Sequence, residues 1–410
     1  MTKTTDYLLA LDIGTSYVKA LLAERGKTLS IIGAARIAQE PGAISSGAVT
    51  DIAAVVKSCE RAIAGAEKLA GLDLTNIQTV IGIAGELVIG ITRTIKLHRA
   101  NPRSPITAEE MTKIVKKVEQ LAGQHARDTI AEQTNNPNTE VRLVNSAIVN
   151  LYIDGHKVVS PVGFKGNLIA VEIYTAFAPL VHVSALEKVA DELSLDLLAI
   201  SVESFAVTRA LLGDDPDSTD TLIVIDVGGG TTDIAVVDDG GVQGTETFSL
   251  GGESFTRKIS TALGIDQLAA ERIKLFSSDP RLDPAIKQKL DQAIATTTSV
   301  WLSGVEVALE NFKNIESLPL KILLCGGGSS LIEIPEILAT SNWYESHPFY
   351  RRPVVNLIDP NDIPGIINKT KFTLDHSFIT ALGLLRIALD TIEIPQGNGL
   401  RAKFARLLSR

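Results

Sequence analysis

The sequence predicts an α/β protein of two related lobes around a cleft, and two observations carry that expectation. The same strand–turn–strand unit occurs twice, over residues 8–23 and again over residues 222–237. A third glycine turn closes the second half: Leu323-Leu324-Cys325-Gly326-Gly327-Gly328-Ser329-Ser330.

Residues 8–12 are a continuous apolar run entering Asp12-Ile13-Gly14-Thr15-Ser16, and residues 222–226 repeat the design into Asp226-Val227-Gly228-Gly229-Gly230-Thr231-Thr232-Asp233. Each reads as a buried strand running into a tight turn. A second apolar run follows each turn, at 18–23 and 234–237, too close behind for a crossover helix and therefore the return strand of a hairpin. Helical patterns lie between the copies, over 52–70 and 108–122. Thr107 stands where a helix cap is needed and Glu110 at the capping-box position. Residues 127–140, with Asn135-Asn136-Pro137-Asn138, read as a loop.

The composition narrows the class. Hydrophobic residues make up 45% of 410 and aromatics 5%, the balance of Ala/Val/Ile/Leu-rich α/β layers. A formal charge of −9 argues against general nucleic-acid binding, which needs a positive surface to displace counterions. Cys59 and Cys325 are the only cysteines, so a disulfide framework is excluded and a reducing, cytoplasmic compartment is expected. The first residues carry no apolar leader, and no window reaches 18 uncharged apolar residues, so the chain is expected neither to be secreted nor to span a membrane. The histidines show no metal-ligand spacing.

The turns suggest chemistry. A glycine-rich hairpin turn lets backbone N–H groups approach phosphate oxygens, and the hydroxyls of Thr15, Ser16, Thr231 and Thr232 add donors. Asp12 and Asp226, one at each strand end, are expected to face each other and hold Mg2+ through its waters, because that cation dehydrates reluctantly. Lys19 is placed to reach a β-phosphate. Other nucleotide motifs fail: Gly26-Lys27-Thr28 would end a P-loop, but Leu21 stands where its first glycine belongs.

In this order the three turns resemble the phosphate-1, phosphate-2 and adenosine motifs of the actin, heat-shock chaperone and hexokinase superfamily. The resemblance implies an actin-like ATPase fold binding ATP and Mg2+. It places Asp12, Gly14, Thr15, Ser16 and Lys19 with Gly228, Gly229, Gly230, Thr231 and Thr232 around the phosphates, and Gly326, Gly327, Gly328 and Ser329 at the adenosine. It also implies that Glu271 and Lys274 contact ribose and adenine. Glu203 falls where the superfamily crosses between lobes, and Ala381-Leu382-Gly383-Leu384-Leu385 resembles the second crossing helix. The resemblance assigns Asp12 and Asp226 as the catalytic pair, with at most slow ATP hydrolysis; a soluble kinase is disfavoured, because the sequence shows no acceptor site.

Within the superfamily the chain resembles the bacterial division protein FtsA. Ile91-Thr92-Arg93, Ile106-Thr107-Ala108-Glu109-Glu110 and Ser160-Pro161-Val162-Gly163-Phe164-Lys165-Gly166 look like its extra, SHS2-like subdomain. The expected division is 1–83 and 166–213 for the first lobe, 84–165 for the inserted subdomain, 214–392 for the second lobe, 393–399 for a linker and 400–410 for a membrane helix. Two departures stand out. FtsA usually has its first-turn lysine two places earlier, where Tyr17 stands, and residues 274–320 are too short for the second-lobe subdomain that docks the tubulin-like partner FtsZ.

The tail supports a membrane role: Leu400, Phe404, Leu407 and Leu408 share one helical face, with Arg401, Lys403, Arg406 and Arg410 around them. Such a helix lies in the bilayer interface with its cations on anionic lipid, each contributing about 1 kcal/mol. One copy binds weakly, and a filament gains avidity. The expected protein is thus an ATP-binding polymer, peripheral on the inner face of the cell membrane, that tethers a division ring through FtsZ and other division proteins. The alternative is an adaptor like the pilus-assembly protein PilM, which lacks the same second-lobe subdomain and binds a cytoplasmic peptide.

Overall fold

The computed structural model describes residues 6–213, 218–313 and 315–393. Of the linker expected at 393–399 only Glu393 is described, as the last residue of a helix, and the membrane-helix residues expected at 400–410 lie outside the described residues. No described helix is long and apolar enough to cross a membrane.

β1 (Tyr7–Ile13), β2 (Tyr17–Glu24) and β3 (Leu29–Ala38) form an antiparallel meander whose first two strands are the expected hairpin. A small hairpin of β4 (Ile44–Ser45) and β5 (Ala48–Val49) leads to α1 (Ile52–Ala70), whose N-terminus is capped by the Asp51 carboxylate accepting from Ala54 N. β6 (Gln78–Ile83) then pairs parallel with β1.

A separate unit follows: β7 (Ile89–His98), α2 (Ala108–Thr134), β8 (Val141–Ile153), β9 (His156–Lys157) and β10 (Leu168–Pro179). Met111, Ile114 and Val118 of α2 pack on Leu151, Ile169 and Ile173, a core of its own. Thr107 Oγ1 accepts from Glu110 N and Thr107 N donates back to the Glu110 carboxylate, the expected capping box. α2 outruns the helix expected over 108–122 and takes in most of the segment read as a loop. Ala122 and Ala126 bury against Phe177 of β10, and that contact, invisible in the local pattern, draws the helix on to Thr134. β10 begins beyond residue 165 yet pairs with both β7 and β8, so its twelve residues belong to the sheet of this unit.

After α3 (Leu180–Glu192) the chain returns as β11 (Asp196–Val202), parallel to β6, and continues into α4 (Glu203–Leu212). The unit from β7 to β10 therefore stands between neighbouring strands of the first lobe, and α3, with Val183, Leu186, Val189 and Ala190 in the first-lobe core, is the crossover back to β11. The second lobe repeats the first: β12 (Leu222–Val227), β13 (Thr232–Asp238) and β14 (Gly241–Phe248) are a meander, followed by α5 (Gly252–Leu263), α6 (Gln267–Leu275) and α7 (Pro284–Glu310). β15 (Lys321–Cys325) pairs parallel with β12, and α8 (Glu333–Thr340) and β16 (Val354–Leu357) complete the lobe. β17 (Ile366–Asn368) and α9 (Ile379–Glu393) end the described chain. From Lys274 to Leu320 the only helix of any length among the described residues is α7, so the second lobe is short, as the sequence indicated.

The duplication is visible in strand order. One sheet runs β11-β6-β1-β2-β3-β17 and the other begins β16-β15-β12-β13-β14, the same arrangement, before continuing β7-β10-β8-β9 into the inserted unit. β12 shows why such strands read as unbroken apolar runs: Leu222 and Val224 belong to one core, Ile223, Ile225 and Val227 to the other. α4 leaves the first lobe to pack on β12–β14, while α9 leaves the second to pack on β1, β2, β6 and β11. The two helices cross where a Cβ on Gly383 would stand 2.5 Å from the Ala206 carbonyl, an approach that no larger residue permits.

Candidate functional site

Both hairpins end in the same turn. Gly14 N donates to Tyr17 O at 3.1 Å in the first, and Gly228 N donates to Thr231 O at 2.9 Å in the second. The turns face each other across the cleft almost in contact: a Cβ on Gly229 would lie 2.1 Å from Ser16 Oγ, and one on Gly230 would lie 2.7 Å from Thr15 Oγ1. Side chains there would fill the gap, so glycine leaves backbone N–H groups as the lining. Among the described residues no group accepts from the N–H of Thr15, Ser16, Gly229 or Gly230. Opposed, unpartnered amides of this kind are suited to an anion.

Beneath the turns the charges gather. Asp12 and Asp226 are both buried, and Lys19, directly opposite Asp12 in the hairpin register, bonds to Asp12 Oδ2 at 2.6 Å. Burial opposes the Lys19 charge, but Asp12, and more weakly Asp226 and Glu203, outweigh it and raise its pKa. Asp226 accepts from Thr380 Oγ1, and burial raises its carboxyl despite that bond and Lys19. Asp233, opposite Asp226 in the register, is pushed up to about 7 by burial, against hydrogen bonds from Thr247 and Thr231. Burial, then Asp12, Asp233 and Asp226, raise Glu203 well above the usual carboxylate range.

Buried Asp12, Asp226 and Asp233 and half-buried Glu203 thus crowd one end of the cleft, and a divalent cation there would favour their charged forms. Among the described residues no three His, Cys, Asp or Glu side chains converge as a ready-made metal cage. The carboxylates of Asp12 and Asp226, both oxygen donors, are of the kind that binds a hard divalent cation.

At the other end of the cleft, Gly326 has φ +82°, and a Cβ there would strike Asp226 Oδ1 at 2.1 Å, so this turn lies directly against the carboxylate. Gly327 and Gly328 line the cleft beside Glu271 and Lys274, whose charged ends meet at 2.6 Å. Lys274 is buried and donates to Gly252 O and Thr256 Oγ1 at 2.9 and 2.8 Å, which makes the pair part of the wall between α5 and α6. The whole cleft has a volume of about 600 Å³, within the range for a drug-sized ligand.

Three of the expected residues do not line it: Gly230, which meets Thr15 of the opposite turn, Thr232 and Ser329. Thr232 donates to Leu250 O at 2.6 Å and accepts from Trp301 Nε1 at 2.9 Å, so both functions of its hydroxyl are spent in the second-lobe core. Ser329 donates to Cys325 O and Gly326 O, tying down its own turn, whereas its neighbour Ser330 lines the cleft and bonds His376 Nε2 at 2.9 Å. Thr231 does line the cleft, with its hydroxyl on Asp233 Oδ2. The cleft lining also takes in Glu203, Asp233, Ser330 and Thr380, which the sequence motifs do not mark as binding residues. Asp233 could have been found from hairpin register, while nothing in the sequence ties Thr380 to a carboxylate 154 residues away.

Comparison with known proteins agrees with this geometry. The family profile described as Cell division protein FtsA matches residues 223–383, and one described as Diol dehydratase reactivase ATPase-like domain matches residues 93–278. The cell division protein FtsA of Neisseria meningitidis serogroup B is 29% identical over 407 residues, covering 93% of this chain and 90% of its own. That of Pseudomonas aeruginosa is 27% identical over 273 residues, 65% of this chain and 60% of its own. Among solved structures, a chain of the PilM–PilN type IV pilus biogenesis complex superposes with a TM-score of 0.64 at 20% identity, covering 94% of this chain and 98% of that one, a likeness of fold alone. With its duplicated sheets, swapped crossing helices and opposed glycine turns, this chain has an actin-like ATPase fold with a shortened second lobe and is similar to the cell division protein FtsA.

Proposed function

We propose that the protein binds ATP with Mg2+ in the cleft, polymerises, and holds a division assembly on the inner face of the cytoplasmic membrane through its C-terminal residues. The observation that carries the reading is the opposed pair of glycine turns above Asp12, Asp226 and Lys19. In this reading the N–H groups of both turns and Lys19 take the phosphates, and Asp12 and Asp226 hold the waters of Mg2+. The base and ribose lie by Gly326, Gly327, Gly328, Glu271 and Lys274. Bound Mg2+ supplies charge neutralisation between the carboxylates and the phosphates.

The membrane part rests on the sequence of residues 400–410: Leu400, Phe404, Leu407 and Leu408 enter the acyl boundary, and Arg401, Lys403, Arg406 and Arg410 meet anionic headgroups. Filament formation multiplies a weak anchor into a firm one. Partners are a second copy of the chain, anionic lipid and other division proteins, the FtsZ tail among them. The short second lobe favours a second reading, a PilM-like adaptor for a cytoplasmic peptide. Midcell rather than polar localisation of the labelled protein distinguishes the first from the second.

The direct test is co-sedimentation with anionic liposomes, with and without Mg-ATP, of the full chain and of one ending at Gln396. Tail-dependent pelleting that Mg-ATP enhances is expected. Pelleting that ignores both tail and nucleotide would rule out the polymerising tether.

A further inference from the structure

One side chain of the inserted unit bonds to the backbone beside Glu203. Asn145 lies in β8, is buried, and accepts from Val202 N through Oδ1 at 2.8 Å while its Nδ2 donates to Ser201 Oγ at 3.2 Å. Val202 is the last residue of β11 and the N-cap of α4, and the next residue is Glu203, whose carboxylate lines the cleft. The Val202 N–H, on the edge strand of its sheet, needs an acceptor at this strand-to-helix junction. Asn145 supplies it from another part of the fold.

Glu203 has little freedom otherwise. Gly82, paired with Ser201 in the neighbouring strand, would carry its Cβ 2.8 Å from Glu203 Oε1, so the carboxylate lies flat against backbone on that side. A small displacement of Val202 therefore moves Glu203 against Asp12, Asp226 and Lys19, the charges that surround it. β8 pairs with β10 at eleven positions, Asn145 opposite Ala176 beside one of two register shifts, so the strand that carries Asn145 belongs to the inserted sheet and its movement acts on the Val202 N–H.

We propose that Asn145 is a positioning residue that fixes the Val202–Glu203 junction and thereby couples the inserted unit to the occupancy of the cleft. The inference rests on the nucleotide reading given above. Because coupling between sites is reciprocal, a ligand in the cleft stiffens β8, and a partner that deforms the inserted sheet changes nucleotide affinity.

Hydrogen exchange on the full-length protein, with and without saturating Mg-ATP, tests this, with ATP affinity measured in parallel by a fluorescent analogue. In the unsubstituted protein Mg-ATP is expected to slow exchange across residues 141–153 by about fivefold, the lower end of typical coupling. Asn145→Ala is expected to abolish that slowing while leaving ATP affinity within about threefold, a change of roughly 0.6 kcal/mol. Asn150→Ala is the control, since Asn150 is buried in the same strand but bonds Glu172 within the inserted unit. It should retain the response. The coupling is overturned if ATP binds the unsubstituted protein without slowing β8, if Asn145→Ala keeps the response, or if Asn150→Ala loses it equally. Failure of the unsubstituted protein to bind ATP at all would remove the nucleotide reading itself and this inference with it.

Discussion

Ser16 Oγ donates to Glu253 Oε1 at 3.0 Å, joining two residues 237 positions apart on opposite sides of the cleft. Glu253 is in the first turn of α5, and its own N–H is held by Gly229 O at 2.9 Å, so the bond ties the first glycine turn to the back of the second. One end of the cleft is thereby bridged between the two lobes.

Breaking that bridge should speed ligand escape. A hydrogen bond to a charged acceptor contributes about 1.5 kcal/mol or more, so Glu253→Ala is expected to raise the dissociation rate of a fluorescent ATP analogue about tenfold. Stopped-flow displacement measures it, and an unchanged rate would show that the bond does not gate the cleft.

Asp226→Asn should separate stability from function. Burial raises the Asp226 carboxyl, which means that its charge is held at a cost to the empty protein. The amide removes that cost, so the melting temperature without ligand is expected to rise by a few degrees, about 1 kcal/mol, while Mg2+-dependent stabilisation by ATP disappears. Thermal melts with ATP in Mg2+ and in EDTA give both numbers. Normal Mg2+ dependence in this variant would remove Asp226 from the site.

Thr232 and Thr231 should behave oppositely. Thr232→Val leaves Trp301 Nε1 without its acceptor and Leu250 O without its donor, costing about 1–3 kcal/mol of stability with nucleotide affinity nearly unchanged. Thr231→Val, at the cleft, should weaken ATP binding with a smaller loss of stability. Chemical denaturation and titration calorimetry on the pair decide the assignment, and a large affinity loss in Thr232→Val would reverse it.

Acid should loosen the inserted unit first. The Arg99 guanidinium, bonded through Nε and Nη2 to both Glu110 oxygens at 2.8 and 3.0 Å, holds the Glu110 carboxyl below its ordinary 4.5. A carboxyl lowered in the folded state binds fewer protons there than when unfolded. Its stabilisation is thus complete above the unfolded value and is lost as pH falls through the folded one. Glu110→Gln should flatten this part of the stability profile below about pH 4.5. Melting curves between neutral and acidic pH would reveal an unaltered slope if the pair were irrelevant.

The parts of the molecule readable from the chain were those whose cause is local. The two hairpins needed only an apolar run, a glycine turn and a second apolar run, and the Asp12–Lys19 pair follows from hairpin register alone. Thr107 and Glu110 announced the start of α2 because a capping box is a contact between residues three apart. Its end was not announced. Asn135, Asn136 and Pro137 pull the local pattern toward a loop, and only Phe177, brought alongside by β10, extends the helix past residue 122.

By itself, then, the sequence determined the duplicated strand–turn–strand units, the glycine positions, the shortness of the second lobe and the family resemblance, all properties of neighbours along the chain. The tertiary structure decided which hydroxyls face the cleft, turning Thr231 and Ser330 toward it and Thr232 and Ser329 away. It also decided which distant groups meet there: Thr380 on Asp226, Glu253 on Ser16, and Asn145 behind Glu203. The reason is geometric. Motif spacing constrains the backbone, but side-chain facing and long-range hydrogen bonds depend on how the two sheets and the inserted unit are packed together, and no local pattern encodes that packing.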